Sequence, residues 1–214
     1  MTIEKLSIFD FDGTLFNSPS DTEENKLKYE KETGIPWLID QEMSRNLSKK
    51  HGCNIGIRRG WWGRPETLEP PLVPSPAPLN WFDDKVREDF NNSKKDNSSL
   101  TIMLTGRYVK LKKQVCRILH EGNLVKFEVS KDGYYKWVDN DVTGYFLGDN
   151  GPKPNGKKPS ETFPWKIWII QQFLDLNKEI QTIEFWEDRD EHVEKFKSLE
   201  GTLAKKIIVN HIKY

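Results

Sequence analysis

A short apolar run, residues 6–9, breaks off at two carboxylates two positions apart, Asp10 and Asp12, and then at Gly13. Its β-branched and aromatic content is that of a buried strand. Side chains two apart on a strand share a face, so both acids leave the strand end on the same side. Gly13 lets the chain turn sharply away. Acids at the carboxyl end of a parallel strand lie where open α/β sheets bind ligands. Alone, the same residues read equally as a strand ending in a polar turn, so the rest of the chain must decide.

Four more strand-like runs follow. Residues 100–104 end in Thr105-Gly106-Arg107, residues 124–129 form a third run, residues 182–186 end in Glu187-Asp188-Arg189, and residues 206–212 form the fifth. Helical patterns lie between them. The first follows Asn17, with Ser20 or Asp21 as its cap and Gly34-Ile35-Pro36 as its stop. Others cover residues 80–90, 109–120, 162–176 and 191–199; Ile167, Ile170, Phe173 and Leu174 recur at helical spacing. Residues 133–146, rich in Tyr, Trp and Val, read as a β-hairpin insertion. The expected class is α/β, a mostly parallel sheet with helices on both faces. Residues 37–78 are dense in Gly and Pro and read as an irregular insertion. The expected division is a core of residues 1–16 and 100–214, with residues 17–99 as a cap-like insertion packed on it.

Thirty-three basic and 33 acidic residues cancel, so no whole-protein field draws nucleic acid. Eight tryptophans argue against disorder. Cys53 and Cys116 lie far apart without metal-ligand spacing and read as reduced thiols. No secretory or membrane-spanning segment is visible, so no membrane partner is expected. The expectation is an intracellular protein, cytoplasmic in the first instance, with a nuclear location as the alternative. The sequence leaves the oligomeric state open.

Three strand ends now carry polar groups, Asp10/Asp12, Thr105 and Glu187/Asp188, and one helix start carries Lys166. In a doubly wound sheet these converge on one crevice. The set suits phosphoryl transfer. Carboxylates hold a hard cation such as Mg²⁺. One carboxylate can attack phosphorus and form an aspartyl-phosphate. A hydroxyl and an ammonium can bind the non-bridging oxygens.

The order Asp10-Phe-Asp-Gly-Thr14, Thr105, Lys166, Glu187-Asp188 resembles the four ordered motifs of the haloacid dehalogenase (HAD) superfamily. Trp61-Trp62, Trp81, Leu104-Thr-Gly-Arg107, Phe163-Pro-Trp-Lys166 and Trp186-Glu-Asp-Arg-Asp-Glu-His192 resemble the HAD domain of Swiss Army Knife RNA repair proteins, over nearly the whole chain. The phosphatase half of polynucleotide kinase-phosphatases is similar through the Asp10 and Glu187-Asp-Arg189 motifs. The resemblance implies a Mg²⁺-dependent phosphohydrolase. Asp10 is then the nucleophile, and Asp12 protonates the leaving oxygen and activates water. Thr105 holds a phosphoryl oxygen, and Lys166 neutralises charge and orients Asp10. Metal would be held by the Asp10 and Asp188 side chains and the Asp12 carbonyl. Glu187, where the family usually has Asp, would make a water-mediated metal contact or a contact to Lys166. Gly13, Thr14, Gly106, Arg107 and Arg189 would surround the phosphate. The implied substrate is a phosphorylated nucleic-acid end, such as a 3′-phosphate on RNA, with separate RNA repair proteins as partners. A small-metabolite phosphatase and a catalytically silent binding module are the alternatives.

Plainer readings stand beside these. On position alone Lys166 is a solvated helix lysine. Arg107 and Arg189 either pair with carboxylates structurally or grip phosphate through the planar donor fork. His192 reads as a capping or packing residue. Trp61 and Trp62 read first as the core of the insertion, and second as a base-stacking platform beside Arg58, Arg59 and Arg64. The basic runs 110–113 and 153–158 read as solvated surface.

Overall fold

The computed structural model describes residues 2–37, 49, 50, 52 and 60–214. Cys53, Arg58 and Arg59 lie outside the described residues. Two compact units are present: Met1–Asn17 with Pro78–Tyr214, and Ser18–Ala77.

The strands of the first unit are β1 (Lys5–Phe9), β2 (Ser99–Tyr108), β3 (Phe127–Val129), β4 (Tyr135–Trp137), β5 (Val142–Leu147), β6 (Thr182–Glu187) and β7 (Lys206–His211). Five of them form one sheet in the order β5-β2-β1-β6-β7, and every pairing in it is parallel. β1 is therefore central, with Phe9 opposite Met103 on one side and Trp186 on the other. Strand order reverses across β1, which makes its carboxyl end the switch point of the sheet.

Both faces of β1 are covered, so Leu6, Ile8 and Phe9 are all buried, and the buried Ser7 hydroxyl between them is satisfied by the Ser99 hydroxyl at 2.9 Å. Helix α1 (Glu23–Thr33) belongs to the second unit; the helices of the first are α2 (Asp84–Lys95), α3 (Lys112–Glu121), α4 (Thr162–Leu176), α5 (Asp190–Lys197) and α6 (Glu200–Leu203). Leu6 and Ile8 pack with Ile102, Leu104, Ile183 and Phe185 against Trp165, Ile169, Ile170 and Phe173 of α4. Phe9 points the other way, stacked on Trp186 at 4.0 Å between ring centroids and edge-on to Phe90 of α2 at 5.0 Å.

Three expectations are corrected. Residues 124–129 do not enter the main sheet; only Phe127–Val129 forms a strand, paired antiparallel with Tyr135–Trp137. The edge strand beside β2 is β5, which the sequence placed inside the hairpin. The alternating charges Lys126 and Glu128 suit a two-stranded ribbon, whereas Val142, Phe146 and Leu147 are buried. Residues 78–99, assigned to the insertion by sequence, lie in the first unit. There Asp83 caps α2 by accepting from the Val86 N–H at 2.8 Å, and Val86 and Phe90 are buried.

In the second unit Thr22, rather than Ser20 or Asp21, caps α1, accepting from the Asn25 N–H at 3.2 Å; Gly34 closes it at φ 68°. Tyr29, Trp37, Trp61 and Leu72 form its core, and Trp61 Nε1 donates to the Pro19 carbonyl at 2.8 Å. Trp61 is thus core, while Trp62 is 47% exposed. Arg64 is buried with its guanidinium 3.6 Å from the Trp37 ring centre, so it is not presented to a nucleic-acid backbone. Among the described residues no helix is long and apolar enough to cross a membrane.

Candidate active site

Strand parity builds the site. The alternation that turns Leu6 and Ile8 toward α4 turns Asp10 the same way one step beyond the strand. The same alternation in β6, which buries Ile183 and Phe185, brings Glu187 to that face. Between them stands Lys166. It lies on the buried stripe that Ile169, Ile170 and Phe173 continue along α4, so it cannot be a solvated lysine. Its Nζ donates to Asp10 Oδ2 at 2.7 Å and to Glu187 Oε2 at 2.9 Å, and all three side chains are at most 5% exposed.

Further contacts fix both carboxylates. Asp10 Oδ1 accepts from the Phe11 N–H at 2.8 Å. Glu187 Oε2 is also 3.2 Å from His192 Nδ1, and Glu187 Oε1 accepts from Arg189 Nε at 3.3 Å. Arg189 Nη2 reaches Asp10 Oδ2 at 3.5 Å. Of the two roles expected for Glu187, the Lys166 contact is the one present. Burial alone would lower Lys166, yet the Asp10 and Glu187 carboxylates outweigh it and hold the ammonium above its ordinary value. Burial likewise opposes charge on Glu187, but Lys166, His192 and Arg189 keep it well below the usual carboxylate range. Asp10 is raised, by burial first, against the pull of Lys166.

Gly13 follows with φ 63°, and a Cβ there would lie 2.2 Å from Asp188 Oδ2. A bare α-carbon is what lets the turn and Asp188 approach each other. Asp188 is pushed up to about 7, by burial first and then by Asp10 and Glu187. Thr14 is buried, its Oγ1 has no hydrogen-bond partner among the described residues, and its carbonyl accepts from the Tyr214 hydroxyl at 2.6 Å. Nearby, the Ile212 N–H donates to the Glu187 carbonyl at 3.0 Å.

The structure brings Asp12 and Arg107 together. Arg107 Nε donates to Asp12 Oδ1 and Oδ2 at 3.1 and 2.9 Å, and Nη2 donates to Oδ1 at 2.7 Å. Of the two readings of Arg107, carboxylate pairing is the one seen. Thr105 is buried on β2, where its Oγ1 accepts from the Arg107 N–H at 3.1 Å. Gly106 has a packing reason to lack a side chain, because a Cβ would come within 2.9 Å of Thr162 Cγ2 at the start of α4. His192 was expected to pack, and it does, 5.3 Å from Phe163 between ring centres; its bond to Glu187 was not foreseen. The spacing of five residues from Glu187, across a strand end and into a helix, is no periodic signal.

The model for HAD domain family 1 in Swiss Army Knife RNA repair proteins matches residues 36–212. The chain belongs to that family. The matched span of the HAD domain holds Thr105, Lys166, Glu187 and Asp188; Asp10 and Asp12 precede it and join the site through β1. Among solved structures, the HAD domain of the effector protein Lem4 from Legionella pneumophila is similar with a TM-score of 0.47 at 8% identity, covering 99% of this chain and 88% of that one. No curated protein matches the chain.

The residues of this HAD domain fit a cation. Asp10, Glu187 and Asp188 each offer an oxygen, and the three atoms lie within 4.8 Å of one another. Asp188 Oδ1 is buried with no hydrogen-bond partner among the described residues, a costly state unless something binds it. The three carboxylates face two cationic groups, Lys166 and Arg189, so negative charge is in excess. A hard cation would supply both the missing partner and the missing charge.

Proposed function

We propose that the chain is a Mg²⁺-dependent phosphohydrolase working through an aspartyl-phosphate on Asp10. The observation that carries this reading is the Lys166 ammonium bridging Asp10 and Glu187 beside Asp188, at the carboxyl ends of adjacent parallel strands. Asp10 and Asp188 would hold the ion, which when bound offsets charge on the phosphoryl oxygens. Lys166 holds Asp10 in one orientation, so that a carboxylate oxygen forms the bond to phosphorus as the ester oxygen leaves. Asp12 donates a proton to that leaving oxygen and later takes one from the water that cleaves the acyl phosphate. Both Asp12 oxygens are engaged by Arg107 at rest, so proton donation requires this pair to open. Arg107, once released, has a planar fork suited to phosphate. Thr105, Gly13, Thr14, Gly106 and Arg189 complete the phosphate's surroundings.

The family's description names RNA repair proteins, which supports a phosphorylated RNA end as substrate and separate repair proteins as partners. The balanced charge supports a second reading, a small phosphorylated metabolite, since strong polynucleotide binders usually carry a basic footprint. A silent binding module is disfavoured by the intact set of carboxylates around Lys166. The test is Mg²⁺-dependent phosphate release from 3′- and 5′-phosphorylated RNA and DNA oligomers and from a metabolite panel, with Asp10→Asn as control. Release from oligomer ends that Asp10→Asn abolishes is expected. Release from metabolites only would overturn the RNA-end reading, and undiminished release by Asp10→Asn would overturn the nucleophile.

A further inference from the structure

A cavity of about 540 Å³ opens beside the amino ends of β2 and β5, at the other end of the sheet from Asp10. That size is within the range of small-ligand sites. Its floor is settled internally. Lys94 Nζ donates to Asp139 Oδ2 at 2.7 Å and to the Leu124 carbonyl at 2.9 Å, and Asp139 also accepts from the Lys126 and Asp141 N–H groups. What remains at the rim is mostly nitrogen: Lys95, Lys126, His120 and Asn123 are exposed there. Asp141 is the acid in the lining. Two acids close by in sequence are already paired, Glu121 with Arg117 at 2.7 Å and Glu128 with Lys136 at 2.8 Å.

One wall is aromatic. Phe127 lines the cavity and is half-buried. Tyr135, Trp137 and His120 meet it edge-on at 5.9, 5.2 and 6.2 Å, which holds its plane. Ammonium groups for a phosphate, an amide for a base edge and a fixed ring for a base face together fit a nucleotide unit.

We propose that this cavity binds one nucleotide of a single-stranded nucleic acid, with a phosphate on Lys95 and Lys126 and a base against Phe127. The site is separate from Asp10, and its occupancy does not depend on the phosphatase reading. The chain's lack of net charge places the affinity in this local patch rather than in a general field.

The experiment measures fluorescence anisotropy of a labelled single-stranded RNA decamer with the full-length Asp10→Asn protein, over a salt series and with a mononucleotide as competitor. Binding is expected. Adding Lys95→Ala and Lys126→Ala should weaken it about tenfold or more and flatten the slope of log K against log salt by about 0.7 per lysine removed. Both lysines are exposed, so the fold is retained. Phe127→Leu, which keeps an apolar side chain, should weaken binding roughly fivefold or more through lost stacking. Unchanged affinity and slope in the double-alanine variant would overturn the site. So would failure of the Asp10→Asn protein to bind the decamer. A mononucleotide that binds as tightly as the decamer would overturn the strand as occupant. In the protein with Asp10 intact, Lys95→Ala/Lys126→Ala should leave hydrolysis of a small phosphate ester unchanged, which separates this site from the reaction.

Discussion

Lys166→Met should be among the most destabilising single substitutions in this chain. It keeps an unbranched apolar stem but deletes the one ammonium that bonds both Asp10 and Glu187. Both carboxylates stay buried, at 5% and 1% side-chain exposure. Removing one partner of a buried ion pair costs about 3–5 kcal/mol, and here it leaves two buried carboxylates facing the half-exposed Arg189 at 3.3 and 3.5 Å. For a chain of this size that corresponds to a fall in Tm of about 6–20 °C. The measurement is urea and thermal unfolding followed by circular dichroism, with chelator present so that no added cation replaces the lost charge. Two internal controls follow from the same geometry. Glu187→Gln in the Lys166→Met background deletes one of the two stranded charges, so the double variant should recover on the order of 1–3 kcal/mol relative to the sum of the singles. The loss should also shrink at pH 5 compared with pH 8, because a stranded carboxylate escapes by taking up a proton. A Lys166→Met protein within about 1 kcal/mol of the parent, or no recovery in the double variant, would refute the reasoning.

Asp188 gives a pH signature. Its folded value, pushed up to about 7 from 3.8, means that its contribution is fully present below about pH 4 and is lost as pH rises through 7 in the metal-free protein. Mg²⁺ should therefore raise Tm more at pH 8 than at pH 5, and its binding should release protons to a weak buffer; an equal gain at both pH values would count against the site. Gly13→Ala should cost about 1–3 kcal/mol, since it forces a side chain into a left-handed conformation against Asp188. It should also weaken Mg²⁺ binding in a thermal-shift titration. Arg107→Lys keeps the charge but loses the planar fork that would grip phosphate once released from Asp12, so phosphate release should fall about 100-fold; because Arg107 is buried and bonded to both Asp12 oxygens, Tm should fall as well.

Sequence order exposed the site better than sequence periodicity exposed the sheet. The two acids after β1, the lysine at the start of α4 and the acids after β6 were readable because each follows an uninterrupted element with a clean boundary. Helix α4 is found over the residues its apolar spacing marked. The edge strand was misplaced because residues 124–129 and 142–147 are both short, apolar and flanked by turns, and only pairing partners distinguish them. Arg107 was legible as a carboxylate or phosphate partner, but not that its carboxylate is Asp12, because a side-chain ion pair across 95 residues leaves no local trace. Lys166 read as an ordinary lysine until motif order raised it, since a buried cation and a solvated one have the same letter; the stripe of Ile169, Ile170 and Phe173 beside it was the available clue.

The hydrogen bond from Tyr214 to the Thr14 carbonyl spans 200 positions of sequence. Together with the bond from the Ile212 N–H to the Glu187 carbonyl, it links the segment after β7 to the turns that carry Asp10 and Glu187. These segments should therefore open as one cooperative unit rather than fray independently. In native-state hydrogen exchange, the amides of Gly13, Phe16 and Ile212 should share one opening free energy, and Tyr214→Phe should lower all three together. A turn that frays only when the segment after β7 lets go has its lifetime set by β7.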